Sequence, residues 1–435
     1  MHELKDKRVV IMGLGRFGGG VGAARYCAKH GATVLVTDLL GEKELTESLA
    51  KLEGLPIQYR LGGHETADFT KADLIVINPA VDLRNNQYLH AAKTAKVPTT
   101  TEINLLVERL PDRGRTIGIT GSAGKSTTTA MIAHVLTAAY GESRVHLGGN
   151  IGGSLLDVVD TLTPDDWVVL ELSSFMLDTM LHFSPHICVV TNLGDNHLDR
   201  HGHLDAYVRA KKTIFRYQNH EDRAVLGPSV SDWRFDCPAV AIIEDEPIEE
   251  ELLIPGEHNQ LNAALAATAC ESAGVLRADA IKALQTFPGL PHRLQLVATH
   301  NKVRFYNDSK STTPESAMLA IDSFDPHNAH LILGGYDKKA DMAVLGRYAA
   351  ARCAGVYTIG HTGSAIAEAA KGEAKHCPVR SCGLLEVAVQ EAIKAAKPGQ
   401  AVVMSPGCAS YDQFDNYEQR GRLFAEYVLR YTGDE

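Results

Sequence analysis

Nowhere in its 435 residues does the chain hold the uninterrupted apolar run of ~18 residues that a membrane-spanning helix requires. The charged opening Met1-His2-Glu3-Leu4-Lys5-Asp6 does not have the form of a signal peptide, so a cytoplasmic protein is expected. Basic tracts are missing too. The 43 Lys and Arg are spread along the chain against 53 Asp and Glu, for a formal net charge of −10. That balance disfavours nucleic acid or an anionic membrane surface as the main partner. The 8 cysteines include no C-x-x-C pair, which predicts reduced thiols packed as small apolar residues rather than disulfides or a thiolate zinc site. Internal repeats and low-complexity segments are absent.

What the chain does have is length and alternation. It is too long for one ordinary core, so two or three domains are expected. Short β-branched runs alternate with longer helical patterns from end to end, the mark of an α/β protein with parallel sheets covered by helices. Three units follow, set at residues 1–113, 114–291 and 292–435. The first carries the predicted strands Arg8–Met12, Thr33–Thr37 and Leu74–Ile77 and ends in the polar linker Pro111–Arg115. The second includes Trp167–Leu170 and Ile187–Val190 and closes at Phe287-Pro288-Gly289-Leu290-Pro291, where two prolines and a glycine mark a boundary. The third has strands near Val303–Tyr306, Leu331–Leu333, Val356–Ile359 and Ala401–Met404.

The strongest chemical signal lies at the start of the second unit. The strand Ile117–Thr120 runs into Gly121-Ser122-Ala123-Gly124-Lys125-Ser126-Thr127 and then into a helix expected from Thr127 to about Thr137. Glycines at 121 and 124 let backbone N–H groups turn toward phosphate oxygens, Lys125 adds a cation, and Ser126 offers a hydroxyl to magnesium. The helix points its positive end at the same anion. Because Ile119 stands where the commonest nucleotide loop has glycine, this is the shortened form Gly-x-x-Gly-Lys-Ser, and ATP or GTP chemistry is expected.

Other segments add to it. Gly13-Leu14-Gly15-Arg16-Phe17-Gly18 follows a strand and precedes a helix, with Asp38 at the end of the next strand, which is a dinucleotide fingerprint. Any nucleotide diphosphate can use that geometry, so an NAD-dependent oxidoreductase and a nucleotide-sugar enzyme both fit the pattern. No hydride-acceptor site is visible elsewhere. Glu171-Leu172-Ser173-Ser174-Phe175 lies just past a strand, at the carboxyl edge of a parallel sheet, where a carboxylate is well placed to hold magnesium. In Thr191–Asp199 the histidine to keep is His197; His201 and His203 have no helical zinc frame and read as surface residues. Tyr207, Ala210, Lys211 and Ile214 share one helical stripe, which turns Lys211 inward. A buried lysine near a metal can lose its proton and take up carbon dioxide as a carbamate.

With these segments in order, nearly the whole chain resembles the Mur ligases of bacterial peptidoglycan synthesis. Gly148-Gly149-Asn150-Ile151-Gly152, His197-Leu198-Asp199, Gly256-Glu257-His258-Asn259-Gln260-Leu261-Asn262 and Leu290-Pro291-His292-Arg293 carry the likeness beside the phosphate loop. So do Asn307-Asp308-Ser309-Lys310-Ser311-Thr312, Gly334–Asp341 and Ser405–Phe414. The last segments look like those of D-glutamate-adding members, and the Asp-Asn-Pro-Arg of diamino-acid-adding members is missing. Folylpolyglutamate synthase, a relative, does not begin with a Gly-x-Gly-x-x-Gly domain.

The resemblance implies a three-domain fold: a Rossmann-like N-terminal domain, a central P-loop domain for ATP, and a Rossmann-like C-terminal domain for the amino acid. It implies a monomeric ATP-dependent ligase joining UDP-N-acetylmuramoyl-L-alanine to D-glutamate through an acyl phosphate. Lys125 would act on the transferring phosphoryl group with two Mg2+ ions, one on Ser126 and Glu171 and one on His197 and carbamylated Lys211. The loop from Gly121 through Ser122, Ala123 and Gly124 to Thr127 would hold the triphosphate. Asn259, Asn262, Arg293 and Asp308 would seat base and ribose, with Lys310 near phosphate. Gly15, Arg16, Phe17 and Asp38 would take the uracil diphosphate, and Asn150 and Ser173 the rest of that substrate. Thr312, Lys338, Ser410 and the backbone near Tyr417 would meet D-glutamate. Ala123 replaces the usual asparagine, Asn196 the usual aspartate, and Tyr411 and Tyr417 stand where leucine and phenylalanine are common.

Overall fold

The computed structural model describes residues 3–15, 18–194, 203–233, 239–243, 248, 250–336, 341–373 and 377–433. Two compact units divide the chain, residues 1–246 with 261–283 and residues 247–260 with 284–435.

The first unit holds two parallel sheets. One consists of β1 (Arg8–Met12), β2 (Thr33–Asp38), β3 (Ile57–Leu61), β4 (Leu74–Ile77) and β5 (Thr99–Thr101), in the order β3-β2-β1-β4-β5. The other consists of β6 (Thr116–Thr120), β7 (Val145–Gly149), β8 (Trp167–Glu171), β9 (Ile187–Val190), β10 (Arg223–Leu226) and β11 (Ala239–Ile242), in the order β11-β10-β9-β6-β8-β7. Every residue of β6, β8 and β9 is buried, as expected of β-branched strands covered on both faces. In each sheet the strand order reverses beside the first strand. The crevice this opens at the carboxyl ends is where ligands of parallel sheets collect. The glycine loop after β1 and the phosphate loop after β6 both sit there.

The two sheets of this unit share one hydrophobic core, which joins Tyr26, Ile103 and Leu106 to Leu155, Leu156 and Phe183. The approach is close enough that a Cβ on Gly22 would lie 2.2 Å from Cβ of Ser154. Ser154 donates to the buried carboxylate of Glu102 at 2.5 Å, and burial pushes that carboxyl up to about 7. Arg25 pairs with Asp157 at 2.6 Å along the same seam.

The second unit is built on β12 (Gln295–His300), β13 (Val303–Asn307), β14 (Ala329–Gly334), β15 (Gly355–Ile359), β16 (Val379–Gly383) and β17 (Ala401–Met404). Their order is β12-β13-β17-β14-β15-β16, and β12 alone runs antiparallel to its neighbour. Separate apolar clusters pack on the sheet, one with Ile321, Leu331, Leu345 and Ile366, the other with Ile332, Leu385, Val389 and Phe424. Among the described residues no helix is long and apolar enough to cross a membrane. The described cysteines are free thiols.

Candidate active site

The phosphate loop is shaped by contacts that leave no room for side chains at its glycines. Gly121 has φ 150 and a Cβ there would lie 1.9 Å from Thr191 Oγ1; Gly124 has φ 77 and its Cβ would lie 2.4 Å from Asn262 Oδ1. The turn is held from the far side by the segment after β9. Ala123 N donates to Asn192 Oδ1 at 2.8 Å, Thr191 Oγ1 donates to Ala123 O at 2.6 Å, and Ser122 N donates to Asn192 O at 3.0 Å. Left-handed Gly124 then starts the helix Lys125–Tyr140, two residues earlier than the sequence pattern implies. Asn262 Oδ1 also accepts from Thr128 at 3.2 Å, so this asparagine lies against the loop and first turn. Lys125 folds back to donate to Ser122 O at 3.0 Å. Ser126 and Thr127 follow it in the first turn, half-buried. Backbone donors, a cation and a helix N-terminus converge on one point, which is the physical requirement for binding phosphate.

Behind the loop stand two ionisable groups that water scarcely reaches. Glu171, last residue of β8, is 1% exposed. Its Oε1 accepts from Asn150 Nδ2 at 2.9 Å, while Oε2 has no hydrogen-bond partner among the described residues. A buried carboxylate oxygen without a donor is costly unless something absent from the chain satisfies it. A divalent cation does so, and the hard oxygen donors suit magnesium. Lys211 is also 1% exposed, on the inner stripe of the helix Leu204–Lys212. It donates to Gly121 O at 2.7 Å. Burial, with the nearby charge of Lys125, pulls its ammonium down to about 7. The charge of Lys125 is left for an anion to neutralise. Among the described residues no three His, Cys, Asp or Glu gather into a metal set.

On the first sheet, Asp38 is buried at the end of β2 and accepts from the N–H groups of Leu14 at 2.8 Å and Gly15 at 3.0 Å. The dinucleotide-type loop is thus organised around the carboxylate. A cavity of about 100 Å³ opens at the carboxyl ends of β4 and β5, lined by Asn78, Asp82, Arg84, Thr101, Phe175 and Thr179. Ser173 caps the short helix Ser174–Thr179 through a bond from Met176 N at 3.2 Å.

In the second unit, the candidate residues cluster at the carboxyl ends of β13 and β17. Asp308 is buried; it accepts from Leu294 N at 3.1 Å and Ser405 Oγ at 2.7 Å, and burial raises its carboxyl to about 6. Arg293 is exposed, and Lys310 is exposed with Nζ 5.5 Å from the Tyr417 ring. Burial pushes the Tyr417 phenol up to about 12. Thr312 is half-buried, Ser410 is buried, and Asn259 donates to Pro255 O at 2.6 Å. Arg16, Phe17, His197 and Lys338 lie outside the described residues. Sequence reasoning missed Arg420, which is 0% exposed and donates to Ser309 Oγ, Ser309 O and Ala409 O at 3.0, 2.8 and 3.2 Å. The signal was a charge set on the apolar stripe Arg420, Phe424, Val428.

Comparison with known proteins gives a consistent result. Family models match three stretches: a Mur ligase MurD-like N-terminal domain over residues 7–100, a Mur ligase middle domain over 119–234, and a Mur ligase glutamate ligase domain over 292–408. Similar proteins include a UDP-N-acetylmuramoylalanine–D-glutamate ligase of Acidobacterium capsulatum, 37% identical over 99% of this chain and 98% of that one. Another of the same name, from Anaeromyxobacter dehalogenans, is 38% identical over 97% of each chain. Among solved structures, the UDP-N-acetylmuramate-alanine ligase MurC of Thermotoga maritima superposes with a TM-score of 0.56 at 19% identity, covering 99% of this chain and 100% of that one. MurF of Acinetobacter baumannii gives 0.54 at 15% identity, covering 97% and 93%.

Proposed function

The chain belongs to the Mur ligase family of ATP-dependent ligases, and we propose that it joins D-glutamate to UDP-N-acetylmuramoyl-L-alanine in peptidoglycan precursor synthesis. The relatives' names and the glutamate ligase domain over 292–408 support the choice of substrates. The observation that carries the ligase chemistry is the buried Oε2 of Glu171, without a donor among the described residues, behind a phosphate loop that carries Lys125 and is met by Lys211.

The alanyl carboxylate oxygen bonds to the γ-phosphorus as ADP leaves. The amine of D-glutamate then bonds to the acyl carbon, phosphate departs, and the amine proton passes to solvent. Both partners of the first step are anions, so its barrier is dominated by charge repulsion. Lys125 meets this by turning from Ser122 O to the transferring phosphoryl group, while the loop Gly121–Thr127 grips the triphosphate through the N–H groups of Gly124 to Thr127, those of Ser122 and Ala123 being taken by Asn192. Ser126 and Glu171 would hold one magnesium ion, with Asn150 fixing the carboxylate; His197 and Lys211, carbamylated by carbon dioxide, would hold a second. Bound magnesium supplies charge neutralisation between the phosphate oxygens and the attacking carboxylate. The reading keeps Asn259, Asn262, Arg293, Asp308 and Lys310 for the nucleotide. Gly15, Arg16, Phe17, Asp38, Asn150 and Ser173 are kept for the UDP substrate, and Thr312, Lys338, Ser410 and Tyr417 for D-glutamate. Domains at 1–113, 114–291 and 292–435, working as a cytoplasmic monomer, complete it.

The test is phosphate release from ATP and UDP-N-acetylmuramoyl-L-alanine with D-glutamate, L-glutamate, D-aspartate or L-lysine as acceptor. D-Glutamate should be preferred by at least about 100-fold in kcat/KM. A comparable rate with L-lysine, or release independent of any amino acid, overturns the proposal.

A further inference from the structure

Among the described residues the largest fully buried side chain is a charged one, Arg420. Its helix, Tyr417–Thr432, otherwise turns Gly421, Phe424 and Val428 inward. Burying a guanidinium is expensive unless its donors are satisfied and its charge is answered. The hydrogen bonds it makes among the described residues satisfy donors but go to neutral oxygens. Nε donates to Ser309 Oγ, Nη2 to Ser309 O and Nη1 to Ala409 O. Ser309 Oγ in turn donates to Tyr417 O at 2.8 Å. A Cβ on Gly335 would lie 3.2 Å from Nη1, so the turn after β14 also closes on the same group. Burial lowers the guanidinium to about 10, which leaves it charged at neutral pH.

One side chain thus ties together the turn after β13, the turn after β17, the first residue of the last helix, and the glycine turn after β14. Thr312, Ser410 and the Tyr417 backbone, assigned above to D-glutamate, lie within three residues of those tie points. We propose that Arg420 is a positioning residue for the acceptor. It fixes the mutual spacing of the loops that receive the two carboxylates of D-glutamate, while its own charge is offset by the carboxylates of Asp412 and Asp308. The inference rests on the D-glutamate reading of this unit. Planar, forked donors make the geometry specific, so lysine keeps the charge but loses the spacing.

The experiment measures KM for D-glutamate, ATP and the UDP substrate separately in the wild-type enzyme and in Arg420→Lys. The D-glutamate KM should rise about 10-fold or more while kcat stays within about threefold and the other two KM values within about twofold. Acyl phosphate trapped by hydroxylamine without D-glutamate should form within about threefold of the wild-type rate, because Asp308 is also held by Leu294 N and Ser405 Oγ and the turns after β14 and β17 carry no residue assigned to the nucleotide. Parallel changes in all three KM values, or an unchanged D-glutamate KM, would show that the arginine is a packing element only. Should Arg420→Lys fail to fold, Ser309→Ala cuts the bridge from Arg420 to Tyr417 O and should raise the same KM about threefold; no rise there overturns the proposal. If the wild-type enzyme prefers another amino acid, the function reading fails, and the same measurements with that amino acid still decide the role of Arg420.

Discussion

Carbamate chemistry at Lys211 turns on the protonation state of its amine. Carbamate formation needs a neutral amine, and an ordinary lysine with a pKa of ~10.4 is only ~0.4% neutral at pH 8. Burial and the charge of Lys125 bring Lys211 to about 7, which makes it roughly nine-tenths neutral at pH 8 and about one-tenth neutral at pH 6. The advantage over a surface lysine at pH 8 is therefore about 200-fold. The pH dependence also differs in kind: from pH 8 to pH 6 the neutral fraction of Lys211 falls ~10-fold, that of an ordinary lysine ~100-fold. Enzyme stripped of carbon dioxide at low pH should be inactive and regain D-glutamate-dependent phosphate release when dissolved carbon dioxide is restored. At fixed dissolved carbon dioxide, the rate of recovery should drop ~10-fold between pH 8 and pH 6. A labelled carbamate carbon should be visible by NMR in the active enzyme, and Lys211→Ala should be inactive but partly rescued by a short carboxylic acid. Full activity in stripped enzyme with no carbamate signal would refute the carbamate. A 100-fold drop would refute the depressed amine.

Three further outcomes follow from the same geometry. Lys125→Ala should lower kcat for phosphate release by about 10³-fold or more while the melting temperature holds, and near-normal turnover would remove it from the machinery. Glu171→Gln should raise the magnesium concentration needed for half-maximal activity by about 10-fold or more, since the amide is a poorer ligand; an unchanged magnesium titration would detach Glu171 from the metal. Glu102→Gln should change the pH dependence of stability. The folded carboxyl titrates near 7, above its usual 4.5, so the folded state binds more protons across that window and wild-type stability falls as pH rises through it. The variant should lack that fall and gain up to ~3 kcal/mol at pH 8 in urea unfolding, with little gain near pH 4. Parallel pH profiles would contradict it.

How far the sequence could be read depended on where each piece got its information. Strands Arg8–Met12, Leu74–Ile77, Ile187–Val190 and Ala401–Met404 were legible to the residue, because a strand buried on both faces must be written in apolar residues. Strands at the sheet edges were not. The Thr99–Thr101, Val145–Gly149 and Val379–Gly383 segments carry polar or glycine residues and are strands because a neighbour's backbone pairs with them. The site divides the same way. The loop Gly121–Ser126, Glu171 at a strand end and Lys211 on an inner stripe announce their positions through local pattern alone. The bond from Asn150 to Glu171, the clasp of Asn192 on the loop, and Arg420 under the second unit's turns connect residues distant in sequence. Each depends on packing that no local window contains.

The same distinction bears on Ala123, where Mur ligases usually carry asparagine. A polar side chain in a phosphate loop can serve two ends: to brace the turn or to touch the ligand. Here the bracing comes from outside. Both backbone groups of Ala123 are engaged, N–H to Asn192 Oδ1 and C=O from Thr191 Oγ1 and from Asn192 Nδ2 at 3.1 Å. Ser122 is held in addition, its Oγ accepting from Gly194 N at 2.9 Å and lying 3.1 Å from the Tyr207 hydroxyl. A turn clamped at two successive residues does not need its own side chain for shape. The departure therefore removes at most a contact to phosphate, and the burden of holding the loop rests on the segment after β9, which also leads into the stretch that contains His197. The shape of the phosphate cradle thus rests on Thr191 and Asn192, two residues that sequence pattern alone gave no reason to single out.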